Sequence, residues 1–181
     1  MIFSRFAGSI LIVIGLLLFG CNTAKQEAID HFRHNQSRIE IVVRFMEANP
    51  GIDYVEFNAD GSVDLSLLNK EEFKPRTGYA VFKYDLFNAS LQSADVGDAL
   101  RYAGISMQQF MTLKKLLNDA GCISVQKDSF EEKSYEVGYM RDSMSKWIYE
   151  RRKGPVNFEG SKKHIPLAAD WSLTLSPPAF N

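Results

Sequence analysis

Cysteine, histidine and tryptophan are scarce in this 181-residue chain, with two, three and two residues respectively. Two cysteines, Cys21 and Cys122, cannot build a disulfide-dense scaffold or the usual thiolate zinc site. A surplus of one charge is also lacking. Lys+Arg total 21 against Asp+Glu 22, a formal net charge of −1, which excludes a general nucleic-acid or polyanion binder. The sequence has no G-x-S-x-G, no H-E-x-x-H, no P-loop and no dinucleotide fingerprint. No cofactor is implied. Internal repeats and low-complexity linkers are missing as well. What remains is ordinary globular composition, 45% hydrophobic and 24% charged, enough for a single core of useful size.

The strongest signal is at the N-terminus. Met1–Arg5 is short and carries one positive charge, at Arg5. Residues 6–20 carry no charge and are densest in apolar side chains over Ile10–Phe19. That core is shorter than the roughly 20 residues a spanning helix needs, and it fits the h-region of a secretory signal. It stops at Leu18-Phe19-Gly20-Cys21, and polar sequence begins at once with Asn22-Thr23.

This tetrapeptide resembles the lipobox of bacterial lipoproteins: an aliphatic residue, a small or aliphatic residue, Gly/Ala/Ser, then Cys. Leu18, Gly20 and Cys21 fit, while Phe19 is bulkier than the usual residue. The resemblance implies a diacylglyceryl thioether on Cys21, cleavage before it and N-acylation, typically with palmitate. Residues 1–20 are then a lipoprotein signal peptide, and 21–181 a single mature domain anchored at Cys21. Several acyl chains hold where one alone is marginal, because each buried methylene contributes about 0.8 kcal/mol. Asn22 stands where Asp would favour inner-membrane retention, so the resemblance points to the outer membrane, facing the periplasm. Cys122, between apolar neighbours, reads as a buried small hydrophobe.

Periodicity organises the rest. Thr23-Ala24-Lys25-Gln26 has the form of a capping box opening a helix. Ala28, Phe32, Ile39, Val42 and Met46 form its apolar stripe, and Asn49-Pro50-Gly51 ends it. Strands are expected at 52–57 and 63–68 around an Asp60-Gly61 turn, and at 79–84, with 86–93 irregular. Helices are expected over 94–103 and after the Ser106–Gln109 capping box. Further strands read at 122–127, 134–141, 146–152, briefly at 164–165, and from Trp171. Hairpins without βαβ spacing predict an α+β fold: an antiparallel sheet of hairpins, with the N-terminal helix and a central αα unit packed on one face.

Candidate chemistry is thin. His31 and His34 lie one helical turn apart, off the apolar stripe, with Glu27 and Asp30 four residues before them. They are the candidates for a metal, against the simpler reading of two exposed, ion-paired histidines. Asn58, Asp60, Ser62 and Asp64 supply oxygens in a row, yet lack the later acidic ligand of a calcium loop. Residues 146–163 carry six basic residues against two acids, a local charge of +4. Lys146, Trp147, Arg151, Arg152 and Lys153 are the candidates for contact with anionic lipid or an envelope protein; the alternative is a cationic, self-protecting edge strand. Carboxylate pairs (Asp53 and Glu56, Asp95 and Asp98, Glu131 and Glu132) leave room for acid–base hydrolysis. The expected function is a lipid-anchored binding or assembly module. A membrane-tethered, carboxylate-dependent hydrolase and an envelope metal sensor using His31 and His34 are the rivals.

Overall fold

The computed structural model describes residues 3–69, 81–128, 134–142, 145–152 and 164–176, with side chains described from Thr23 onward except for 141, 142, 145, 175 and 176. Three helices and eight strands follow in the order α1 (Phe3–Ala48), β1 (Tyr54–Phe57), β2 (Ser62–Leu68), β3 (Phe82–Ser90), α2 (Ala94–Ala103), α3 (Met107–Asp119), β4 (Ser124–Lys127), β5 (Tyr135–Asp142), β6 (Ser145–Arg151), β7 (Ile165–Ala168) and β8 (Trp171–Ser176). The fold is α+β. Its eight strands form one open sheet in the order β3-β2-β1-β4-β5-β6-β8-β7, and every neighbouring pair is antiparallel.

The core lies between one face of this sheet and the helices. On α1 the stripe Ala28, Phe32, Ile39, Val42 and Met46 is at most 1% exposed. It meets the inward rows of the strands, among them Val55, Leu65, Val137, Tyr149 and Leu173. Phe32 has its ring centroid 5.3 Å from those of both Tyr149 and Trp171. Full burial of side chains of this size contributes about 1.5–3 kcal/mol each. The αα unit is capped as its sequence requires. Ser106 and Gln109 form the reciprocal capping box of α3, and Ser93 caps α2 by accepting from the Val96 amide. Phe110, Leu113 and Leu117 face inward from α3.

Three expectations are corrected. Thr23 is not an N-cap: α1 runs unbroken through it, and Gln26 Nε2 donates to Asp30 Oδ1 instead of reaching back. Between Gly20 and Ala24 no proline or paired breaker stops a helix that is already propagating. The third strand extends to Ser90, so 86–90 belongs to the sheet, with a register irregularity inside it. Two register shifts against β2 and a positive φ of 49° at Asn88 hide the alternation that marks a strand. Finally, the basic strand β6 is not an edge: it sits between β5 and β8, and among the described residues the edges are β3 and β7. Residues 70–80, the pair Glu131 and Glu132, and Lys153-Gly154-Pro155 lie outside the described residues. Among the described residues no helix is long and apolar enough to cross a membrane.

Candidate functional site

The sheet face opposite the helices is polar, and much of it is buried. Ser66, Ser124, Glu150, Ser172 and Thr174 are each at most 6% exposed. Period-2 alternation puts them there, because their neighbours Leu65, Val125, Tyr149, Leu173 and Trp171 point into the core.

At the centre of this face, Lys146 Nζ of β6 donates to Glu56 Oε2 of β1 at 2.5 Å, across the intervening β5 and β4. The Tyr54 hydroxyl donates to the same oxygen at 2.6 Å, and Lys146 Nζ lies 5.9 Å from the Tyr54 ring centroid. Burial, then the Glu56 carboxylate, push the Tyr54 phenol well above its ordinary value. Lys146 can reach this far because its path is clear. A Cβ on Gly138 would meet Ser124 Oγ and come within 2.7 Å of Lys146 Cε. Gly138 pairs with Ser124 on one side and Ile148 on the other, so a residue without a side chain lets the lysine stem lie flat across two strands.

A second cluster closes the β7 end. Glu150, 2% exposed, faces Arg152 Nη2 at 3.3 Å and His164 Nδ1 at 3.2 Å. His164 Nδ1 also lies 2.9 Å from Thr174 Oγ1. Carboxylate and hydroxyl both address the same ring nitrogen. This differs from a nucleophile–base–carboxylate relay, in which hydroxyl and carboxylate occupy opposite nitrogens. The sequence reading missed this cluster. Its signal was the row Ser172 and Thr174, alternating with Trp171 and Leu173 just as Glu150 alternates with Tyr149. The neighbourhood of β6, β8 and β7 that assembles it is non-local.

The candidate residues named from sequence fall as follows. His31 is not exposed on a helical face. Its ring stacks on Tyr139 (centroids 4.0 Å, planes 16° apart), and Nδ1 lies 2.9 Å from the Tyr149 hydroxyl, which donates to the Ala28 carbonyl at 3.0 Å. Loss of hydration lowers the His31 pKa; a hydrogen bond with the Ala120 backbone opposes this, and the nearby His34 adds to it. Gly121 makes room for the ring. Its φ is +67°, and a Cβ there would sit 2.5 Å from His31 Nε2. His34 is exposed, with Nδ1 2.6 Å from the Asp30 carbonyl, while the Asp30 carboxylate serves Gln26 and Arg33. The two imidazoles therefore do not converge. The one-turn spacing was legible, but the bulky tyrosines that draw His31 inward are more than a hundred residues away. Among the described residues no three His, Cys, Asp or Glu side chains group to hold a metal.

In the basic segment, Trp147 is buried at 4% exposure and Lys146 is committed to Glu56. Arg151 pairs with Glu47 at 3.4 Å and Asp170 at 3.3 Å, and Arg152 with Glu150. Lys153 lies outside the described residues, as does the Cys21 side chain. Asn58–Asp64 is a hairpin turn whose oxygens are used internally: Asp60 accepts from the Ser62 amide and hydroxyl, and Asp64 from Asn58 and the Asn88 amide. Asp53 accepts from the Leu68 amide at 2.8 Å and Asp98 from Arg101. Cys122 is free and buried, with its thiol pushed up to about 12 by loss of hydration. On the outer surface between α1 and α3, a groove of about 350 Å³ is lined by apolar Ile41 and Leu116 and by the oppositely charged Arg38 and Asp119. Comparison of the chain with protein-family models, with curated proteins and with solved structures finds no match.

Proposed function

We propose that this chain is a lipid-anchored lipoprotein of a bacterial envelope, held at Cys21 in the outer membrane facing the periplasm, and that it serves as a binding or assembly module. The observation that carries the reading is the Leu18-Phe19-Gly20-Cys21 lipobox, placed immediately before a domain helix. Ala24, three residues after Cys21, is already part of the core. The lipid is thus joined to the fold with no tether, about 4–5 Å of helix rise away. Lys146, Arg151 and Arg152 each meet a carboxylate of this chain, and the open groove between α1 and α3 mixes apolar and oppositely charged groups, as a macromolecular contact does.

The partner is taken to be an envelope protein in preference to the anchoring bilayer. Arg151 pairs with Glu47, which lies 26 residues along α1 from Cys21, about 39 Å of helix. The Arg151 end of the basic segment is therefore far along α1 from the lipid attachment point. Two measurements test the reading. Cys21→Ser should leave an unmodified precursor that still carries residues 1–20, and a cleaved, acylated N-terminus in that variant would contradict the anchor. Neutralising Arg151, Arg152 and Lys153 together should leave binding of the lipid-free domain to anionic vesicles unchanged. A salt-sensitive loss of vesicle binding would assign the segment to headgroups instead.

A further inference from the structure

We propose that the groove between α1 and α3 packs against the same groove of a second copy of this chain, about a two-fold axis running along the groove, so that α1 of each copy lies on α3 of the other. The two helices of one copy run antiparallel. Gln109, in the first turn of α3, donates to Asn49 Oδ1 just past the end of α1 at 3.2 Å, and Gly121, just past the end of α3, lies against the His31 ring. The four side chains lining the groove therefore fall in two rows: Arg38 beside Asp119, and, one turn further along α1, Ile41 beside Leu116. Ile41 is left 46% exposed, apolar surface whose removal from water favours a partner.

The two rows are each other's complement across such an axis. A two-fold along the groove exchanges its α1 side for its α3 side and keeps each row at its own level. Arg38 then faces Asp119 of the second copy, and Ile41 faces its Leu116. Each contact occurs twice, as an isologous interface requires. A two-fold across the groove would instead set Arg38 on Ile41 and Asp119 on Leu116, covering each charge with an aliphatic side chain at a desolvation cost. Charge complementarity thus selects the first axis. Both charges can take part. Arg38 donates to the neutral Asn35 Oδ1 at 3.0 Å and meets no carboxylate among the described residues. Asp119 pairs with Lys115 of its own helix, with side chains 49% and 73% exposed, and a solvated pair of this kind is worth little. The selected axis also leaves the α1 helices parallel, so the N-termini of both copies leave at one end and two anchors at Cys21 can enter one bilayer. This contact rests on the assembly-module reading and names its partner.

The test uses the full chain in detergent, carried as two differently tagged forms, with light scattering for mass and co-isolation for pairing. Wild type is expected to be a dimer. Arg38→Glu sets carboxylate against carboxylate at both symmetry-related contacts, and Asp119→Arg sets guanidinium against guanidinium there. Each should weaken self-association about tenfold or more. An equal mixture of the two variants opposes unlike charges again at both contacts and should give a heterodimer with wild-type affinity. Far-UV circular dichroism on each variant confirms the fold. A wild type that stays monomeric at hundreds of micromolar would overturn the proposal and leave the groove to a different protein. Folded variants that associate as well as wild type, or a mixture that fails to recover the dimer, would overturn it too. The anchor is read separately, from the mass of the N-terminal peptide, so the loss of one reading is distinguishable from the loss of the other.

Discussion

Replacing Lys146 with Met removes the cation that reaches Glu56 across two strands. The side chains are 24% and 13% exposed, so the pair is neither solvated nor fully dry. Breaking a fully buried pair costs about 3–5 kcal/mol through the charge left behind, and screening by the residual solvent brings the expectation to about 2 kcal/mol here. That is a large part of the roughly 5–15 kcal/mol by which a domain is stable. For a chain of this size it should lower Tm by about 4–8 °C. Glu56→Gln should cost less, because the lysine stem can lift its ammonium into water. The double variant leaves no uncompensated charge and should recover part of the loss, giving a coupling energy of about 1–2 kcal/mol. Gly138→Ala should act on the same contact, since the new Cβ occupies the path of the Lys146 stem. It should cost far less in the Lys146→Met background than in wild type. Urea unfolding of the chain from Asn22 to Asn181 measures all of these. Additivity of Lys146→Met and Glu56→Gln within about 0.3 kcal/mol would refute the tether across the sheet.

Three further outcomes are expected. Phe32→Ala should destabilise by about 3–5 kcal/mol in the same assay, because it empties the space between Tyr149 and Trp171; a loss under about 1 kcal/mol would mean α1 is loosely docked. The lowered His31 pKa gives the pH dependence a sign: the stability it contributes is present in full above the ordinary value of 6.5 and is lost as the pH falls through the lower folded value. His31→Gln should therefore flatten the fall in unfolding free energy between neutral pH and about pH 5, and an unchanged slope would assign that fall to other groups. Cys122, buried with its thiol pushed up to about 12, should resist aromatic disulfide reagents until the chain unfolds, and a reductant should leave Tm unchanged; rapid labelling of the native protein would contradict its burial.

Local signals carried most of the fold into the sequence. The Ser106–Gln109 box, the Asp60-Gly61 turn and the stripe from Ala28 to Met46 are patterns within one or two turns of chain, and each appears where its spacing put it. Strand alternation at Tyr135–Tyr139 and Trp171–Leu173 was legible for the same reason. What escaped depends on neighbours far away in the chain. The stacking of His31 on Tyr139 and the gathering of Glu150, Arg152, His164 and Thr174 both require the strand order. That order cannot be read from alternation, because every strand looks alike to its partners. The cationic run at β6 escaped for that reason too: charge suggested an edge, while Lys146 pairs with Glu56 and Arg152 with Glu150, and Arg151 turns to Glu47 of α1 and to Asp170. Thr23 shows the limit of local rules from the other side: in the uncleaved chain helix already precedes the box, and Gln26 turns to Asp30.

The mass of the N-terminal peptide of the protein isolated from membranes of a bacterial host is the most direct test. The proposal predicts a chain beginning at Cys21, carrying a diacylglyceryl group and an N-acyl chain, with no peptide from residues 1–20 attached. In the Cys21→Ser variant the full precursor, unmodified, should be found instead, because a serine hydroxyl cannot form the thioether. A free Cys21 thiol in the native protein, or the same mature terminus in both proteins, would contradict the lipid anchor.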